Sequence, residues 1–161
     1  MKKHYRYLTA LLLLAAMMLS MSACGKKMPV SVGTFQETMQ SLGYEEAVID
    51  DDGSDIFEQL DEFTAAARQT DDSTCVARFF VAKSEPAAIS IFNGTRENAD
   101  DLVSLPRSNF EKNMGNYSSY RVKNGERDVL LARIDNTILY IIADKNMSDD
   151  VSEIAKTLGY N

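Results

Sequence analysis

The sequence predicts an α+β domain, in which helices pack on one face of an antiparallel sheet that ends in a three-stranded meander. Two polar turns, Asn124-Gly125 and Asp135-Asn136, separate three strand-like apolar runs in the last third of the chain, a pattern typical of hairpins. Apolar residues in other segments recur at helical spacing. The length of 161 residues fits one domain with a core of its own.

The first predicted element of the domain is a helix. Phe35 and Met39 recur at helical spacing after Thr34, which suits the N-cap, and Gly43 suits the left-handed position past the helix end. Residues 47–50 then predict a short strand, because apolar residues precede an acidic, glycine-containing turn.

Residues 54–68 fit two structures, a helix and the first arm of a hairpin whose second arm is 74–83. A weak similarity between this region and 132–145 favours the hairpin, with a short helix before it. The next helix is predicted to begin after Ser84, a suitable N-cap, and to end near Asn98. The chain therefore predicts two strand-strand-helix units, a common arrangement in α+β domains.

Residues 100–116 are predicted to connect this helix to the meander, since proline, glycine and asparagine recur along them. The meander strands are predicted at 117–122, 128–134 and 137–143. A final amphipathic helix ends before Gly159.

The last predicted strand is apolar on both of its sides. Ile138, Tyr140 and Ile142 point to one side, and the residues between them, which are also apolar, point to the other. Three helices can cover one face of the sheet, so the other face requires a cover. We expect residues 54–68 to supply it, with a second protein or a ligand as the alternatives. Tyr140, Ile138 and Ile142 are therefore the candidate binding residues.

The first 24 residues have the order of a cleavable export signal. Basic residues are followed by an apolar run at 8–19 and then by small residues. This run is shorter than the roughly 20 apolar residues that a spanning helix needs. Met21-Ser22-Ala23-Cys24 resembles the lipobox of bacterial prolipoproteins, with Met21 where that family most often has leucine.

This resemblance implies that Cys24 is acylated with diacylglycerol and that the chain is cut just before it. The implied organisation is a signal peptide at 1–23, a lipidated tether at 24–33 and a single domain at 34–161. Two acyl chains give stable anchoring, so we expect the protein at the outer, extracytoplasmic face of the cell membrane. The body loosely resembles small lipoproteins of unknown function from low-GC Gram-positive bacteria, a resemblance that implies no activity.

The charge of the chain excludes one class of partner. Removal of residues 1–23 takes three basic residues and no acid, and so lowers the net charge from −7 to −10. Binding to nucleic acid depends on clustered lysine and arginine, so we expect none. Lys26 and Lys27 could lie against anionic lipid, but we interpret them as part of a solvated tether.

The histidine and cysteine content excludes several kinds of catalytic and metal site. His4, the only histidine, lies in the predicted signal, which excludes the common zinc sites and Ser-His-Asp triads from the mature chain. Cys75 lies in an apolar strand and is predicted to be a small buried hydrophobe. A calcium loop centred on Gly53 would need acids where Val48 and Gln59 stand, so we predict no metal and no cofactor.

The function that the sequence favours is that of a binding or accessory module of the cell envelope. Its partner would be an envelope protein or a small ligand, in addition to the membrane itself. The alternatives are a structural subunit of an envelope complex and a hydrolase without histidine or metal. A hydrolase would need a pair of carboxylates, and no pair is distinguished from surface charge in this sequence, so we expect no enzyme.

The lipobox assigns acylation to a single residue. Cells that express the protein and are fed an alkyne fatty acid should incorporate the label, and the Cys24→Ala variant should not, because the thiol is the acylated group. Labelling is measured by gel fluorescence after coupling to a dye. Label that persists in Cys24→Ala would refute this assignment.

Overall fold

The computed structural model describes residues 26–48 and 56–161. The α-helices and strands in these ranges are α1 (Val32–Ser41), β1 (Glu45–Glu46), β2 (Leu60–Gln69), β3 (Thr74–Ala82), α2 (Glu85–Asp101), β4 (Ser108–Met114), β5 (Tyr117–Lys123), β6 (Arg127–Ile134), β7 (Thr137–Asp144) and α3 (Ser148–Thr157). Single turns of 3-10 helix precede β2 and α3. No helix in the described ranges is both long enough and apolar enough to cross a membrane.

The strands form one sheet in the order β1-β2-β3-β7-β6-β5-β4, and all neighbouring strands are antiparallel. The predicted α+β class and the C-terminal meander of β5, β6 and β7 are confirmed. The hairpin predicted before α2 is also present as β2 and β3. Strand β7 is the central strand and pairs with β3 on one side and β6 on the other.

The helices lie on both faces of the sheet, which corrects the prediction that they pack on one face. Helices α1 and α3 cover the first face, and α2 covers the second. The sequence shows that β7 is apolar on both sides but does not show to which side each helix turns. A helix of 17 residues is about 25 Å long, and so α2 alone can cross the width of several strands.

Each face of the sheet carries its own hydrophobic core. On the first face, Phe35 of α1 stacks on Phe79 of β3, with 5.2 Å between the ring centroids, and Tyr160 meets Phe79 edge to face. On the second face, Phe63 of β2 stacks on Phe80 of β3 at 5.3 Å. A strand that is buried on both faces needs apolar residues at nearly every position, as β7 has.

Strand β4 was not predicted, since residues 100–116 were expected to be a connection. Its residues pair with β5 from Ser108↔Lys123 to Met114↔Tyr117, but most of them are exposed to solvent. Most side chains of this edge strand are exposed, so its residues do not need to alternate between apolar and polar. The sequence therefore lacks the pattern by which a strand is predicted. Helix α2 likewise continues to Asp101, beyond the predicted end.

The start of the domain also differs from the prediction. Helix α1 begins at Val32, and Ser31, not Thr34, is its N-cap. The residues before it were expected to form a tether, but Val30 and Val32 pack against the first core, and Lys27 is bonded to the body. The folded unit therefore begins by Lys27. The first described strand is Glu45–Glu46, which lies before the strand predicted at 47–50. Residues 49 and 50 of that prediction lie outside the described ranges.

A buried ion pair fixes α3 to the sheet. The carboxylate of Asp128 in β6 is fully buried and accepts hydrogen bonds from Arg121 Nε at 2.8 Å and Nη2 at 2.6 Å. The hydroxyl of Ser148, the first residue of α3, donates to the same carboxylate. Burial alone would raise the pKa of Asp128, but these bonds outweigh it and hold the pKa below its ordinary value.

The central position of β7 can be tested on both faces at once. Ile138 faces the second core and Leu139 faces the first, and both are fully buried. Replacing either by alanine should lower the free energy of unfolding by about 2–5 kcal/mol, because each leaves a cavity. The free energy is measured by denaturant titration of the chain from residue 25 onward.

The matched control is Leu105→Ala, at a side chain that is 78% exposed. This change should stay within about 0.5 kcal/mol of the parent chain. A near-neutral effect of Ile138→Ala would contradict the cover that α2 provides on the second face.

Candidate functional site

The predicted binding residues lie on the second face, partly beneath α2. Ile138 and Tyr140 are buried in the second core, and so they are core residues of this domain and not an open surface. Ile142, two residues further along β7, is only half-buried. The cover comes from α2 together with Ile56, Leu60 and Phe63, which belong to the segment 54–68 that the sequence suggested. The face therefore opens towards the end of β7.

The half-open part of the second face is a small patch formed by three neighbouring strands. Val76 of β3 lies directly opposite Ile142 of β7, and Arg78 lies directly opposite Tyr140. Ala67 of β2 continues the first row, beside Val76. Val76, Arg78, Ile142 and Ala67 are all half-buried. We call these four residues, with Tyr140, the Arg78 patch.

One donor of the Arg78 guanidinium lacks the partner that a buried polar group normally has. Its Nε is buried and has no hydrogen-bond partner. Within the described ranges, no carboxylate lies within ion-pairing distance of it. Its nearest aromatic contact is the ring of Tyr140, whose centroid is 6.0 Å from the guanidinium carbon, at the outer limit of a cation–π interaction. The fold therefore bears a desolvation cost at Arg78 that its own contacts do not offset.

Three other arginines differ from Arg78 in this respect. Arg121 makes a bidentate pair with Asp128, and Arg133 lies 3.3 Å from Glu85 and donates to a backbone carbonyl at 2.8 Å. Arg96, on α2, pairs with Glu111 at 3.0 Å. The chain supplies carboxylates to these three arginines, but no carboxylate in the described ranges pairs with Arg78.

Tyr140 contributes a neutral hydroxyl-bearing ring to the Arg78 patch. Burial raises the pKa of Tyr140, and the nearby positive charge of Arg78 lowers it in part. The phenol is therefore protonated at neutral pH. The Arg78 patch thus combines a permanent cation with apolar side chains, and an anion with an apolar body matches both.

Cys75 lies on the opposite face, in the first core. It is fully buried and is a free thiol, as the sequence predicted. Burial raises its pKa to about 11, and a hydrogen bond with Tyr44 opposes this only in part. The hydroxyl of Tyr44 donates to Asp150 at 2.8 Å, and Arg68 contacts the same carboxylate. This group ties the loop between α1 and β1 to β2, β3 and α3, and its thiol is not a nucleophile at neutral pH.

Two positions considered in the sequence lie outside the described residues. One is Cys24, the predicted lipidation site, and the other is the acidic turn before Gly53, at which no metal was predicted. Among the residues that the structure does describe, no group of three or more histidine, cysteine, aspartate or glutamate side chains is placed to hold a metal ion.

Sequence reasoning missed Arg78, although a signal for it was present. The run from Cys75 to Ala82 is apolar except for this one arginine. A charge in a strand that is otherwise apolar on both sides is costly to bury, and so it requires an explanation. Only the register, which places Arg78 beside Tyr140, connects it with the predicted binding residues.

The fold and the Arg78 patch define an α+β domain with a cationic, half-open sheet surface. Comparison of the chain with protein-family models, with curated proteins and with solved structures gave no match.

The effect of Arg78 on the free energy of unfolding can be compared with that of Arg121, which is paired with a carboxylate. Arg78→Met should leave the free energy of unfolding unchanged or raise it by up to about 1 kcal/mol, because it removes an unpaired buried donor. Arg121→Met should lower it by about 3–5 kcal/mol, because it leaves the Asp128 carboxylate buried and unpaired. Both values come from denaturant titration. Equal losses in the two variants would mean that Arg78 serves the fold instead.

Proposed function

We propose that the protein is a lipid-anchored extracytoplasmic binding module, and that its ligand is a small carboxylate with an apolar body. Diacylglycerol on Cys24 would hold it at the outer face of the cell membrane. The observation that supports this ligand class is the Arg78 guanidinium, whose Nε has no hydrogen-bond partner and which lies on a half-open apolar surface. The anchor depends on the lipobox alone.

The chemistry of guanidinium favours a carboxylate over other groups. Its planar fork of donors matches the two oxygens of a carboxylate, and such charge-assisted pairs are about twice as strong as neutral hydrogen bonds. A ligand carboxylate would also accept the Nε–H that the fold leaves without a partner. The desolvation cost of the Arg78 Nε–H is already included in the free energy of folding. A ligand that bonds to this group therefore does not add that cost when it binds.

The apolar half of the ligand is favoured by the neighbours of Arg78. Val76 and Ile142 form one cross-strand pair beside it, and Ala67 extends their row. A short alkyl or aromatic group that covers them would remove apolar surface from water at about 25 cal/mol per Å². This arrangement supports recognition and not catalysis, because arginine remains protonated and transfers no proton at neutral pH.

Decanoate is a suitable probe of the Arg78 patch, since it joins a carboxylate to an alkyl chain. Titration into ¹⁵N-labelled chain from residue 25 onward should shift the Nε–H resonance of Arg78. Decylammonium, which has the same chain and the opposite charge, should not shift it. Arg78→Met should bind decanoate at least about tenfold more weakly, because a hydrogen bond to a charged group contributes about 1.5–3 kcal/mol.

The control variant is Arg96→Met. Arg96 also lies over an aromatic ring, that of Tyr120 at 4.9 Å, but its charge is paired with Glu111. Its loss should leave the affinity for decanoate unchanged. Equal binding of decanoate and decylammonium, or an affinity that Arg78→Met does not change, would contradict the proposed ligand class.

A further inference from the structure

Lys27 fixes the path by which the chain enters the domain. Its backbone N–H donates to the Asn116 side-chain oxygen at 3.1 Å, and the Asn116 amide donates back to the Lys27 carbonyl at 2.7 Å. Its ammonium donates to the Gly159 carbonyl at 2.7 Å. Cys24 lies three residues earlier, at most about 10 Å away along an extended chain. A lipid on Cys24 would therefore place the β4–β5 turn, which contains Asn116, at the bilayer.

Two ammonium groups lie close together at this end of the sheet. Lys27 Nζ is 4.6 Å from the centroid of the Tyr117 ring, and Lys112 Nζ is 5.5 Å from it. Among the described residues, no carboxylate forms an ion pair with either lysine. Burial lowers the pKa of Lys27, and the charge of Lys112 lowers it further. Although the net charge of the chain is −7, these two neighbouring cations have no counter-ion within 26–48 and 56–161.

Exposed apolar side chains accompany this lysine pair. Phe110 is 65% exposed and Met114 is 52% exposed. They lie two residues before and two residues after Lys112 on β4, and residues two apart in a strand share a face. The edge strand therefore presents an apolar–cation–apolar row. Apolar groups that insert at the acyl boundary beside cations that meet headgroups are typical of a surface that lies on a membrane.

We propose that Lys27, Lys112 and Met114 form a contact site for the phosphate headgroups of anionic phospholipids, and that this contact orients the domain on the bilayer. The inference rests on the acylation of Cys24 proposed above. The two lysines attract the headgroup phosphate, Met114 enters the acyl boundary, and the acidic remainder of the body is repelled from the surface.

The orientation keeps the Arg78 patch away from the lipid. Asp135, in the turn before β7, bonds through its backbone N–H to Asn116, and so β7 starts at the membrane-facing end. Ile142 lies five residues beyond Thr137, which is about 16 Å along a strand. A ligand from the surrounding medium can therefore reach the Arg78 patch while the anchor is in place.

The chain contains no tryptophan, so a single introduced tryptophan reports its own position. Met114→Trp places the probe at the proposed contact. Leu105→Trp places it at an exposed position near the other end of β5, where Ser104 bonds to Asn124. Each acylated protein is reconstituted into vesicles of phosphatidylglycerol and phosphatidylcholine with brominated acyl chains, which quench tryptophan that enters the bilayer. Intact-mass measurement establishes acylation first.

The tryptophan at 114 should be quenched and the one at 105 should not. Adding Lys112→Gln should lower the docking equilibrium constant about fivefold, as expected for one lysine at an anionic surface. Lys145→Gln, at an exposed lysine beyond the end of β7, is the matched control and should change nothing. Quenching at 114 should also be weaker in vesicles of phosphatidylcholine alone than in vesicles that contain phosphatidylglycerol.

Several results would overturn the proposal. Equal quenching at 114 and 105 in acylated protein would do so, as would quenching that neither Lys112→Gln nor neutral lipid reduces. Quenching abolished by inorganic phosphate at constant ionic strength would show that the lysine pair takes free phosphate instead of a headgroup. An unacylated chain would instead refute the anchor, and with it the reason for this orientation, and the mass measurement identifies that case separately.

Discussion

The buried pair of Arg121 and Asp128 is the interaction on which the layered arrangement depends. Asp128 carries its charge with no access to solvent, and such a charge is tolerated only where its hydrogen bonds are complete. The bonds come from β5 through Arg121 and from the start of α3 through Ser148, and Arg121 also reaches the Ser152 hydroxyl at 3.0 Å. If the carboxylate is to be satisfied, α3 must lie across β5 and β6 on the first face.

The remaining layers follow from that placement. With α3 and α1 on the first face, the apolar side of β7 that includes Ile138 and Tyr140 is buried by α2, and Ile56, Leu60 and Phe63 pack against the same core. Helix α2 lies across the middle strands and leaves the far end of β3 and β7 half-open. The Arg78 patch is thus the part of a two-faced sheet that one helix cannot cover. Its position is a consequence of the number of helices and of the length of the strands.

Arg78 and Arg121 show how one residue type serves two purposes on the same sheet. Arg121 is paired with an internal carboxylate and holds elements together. Arg78 also lies on a strand but has no carboxylate partner among the described residues, which supports the ligand proposed for it. Lys27 and Lys112, which lie near the Tyr117 ring at the opposite end of the sheet, resemble Arg78 in this respect. Neither has a counter-ion among the described residues. The unsatisfied cations thus mark two separate surfaces of an acidic protein.

The sequence by itself determined what depends on local pattern. The turns at Asn124-Gly125 and Asp135-Asn136, the apolar sides of β7 and the burial of Cys75 could all be predicted, because turn geometry and periodicity act over a few residues. Only the tertiary structure decided the face that α2 covers, the pairing of β4 and the neighbours of Arg78. These depend on contacts between residues far apart in the chain, and an exposed edge strand or an unpaired arginine leaves no periodic signal in the sequence.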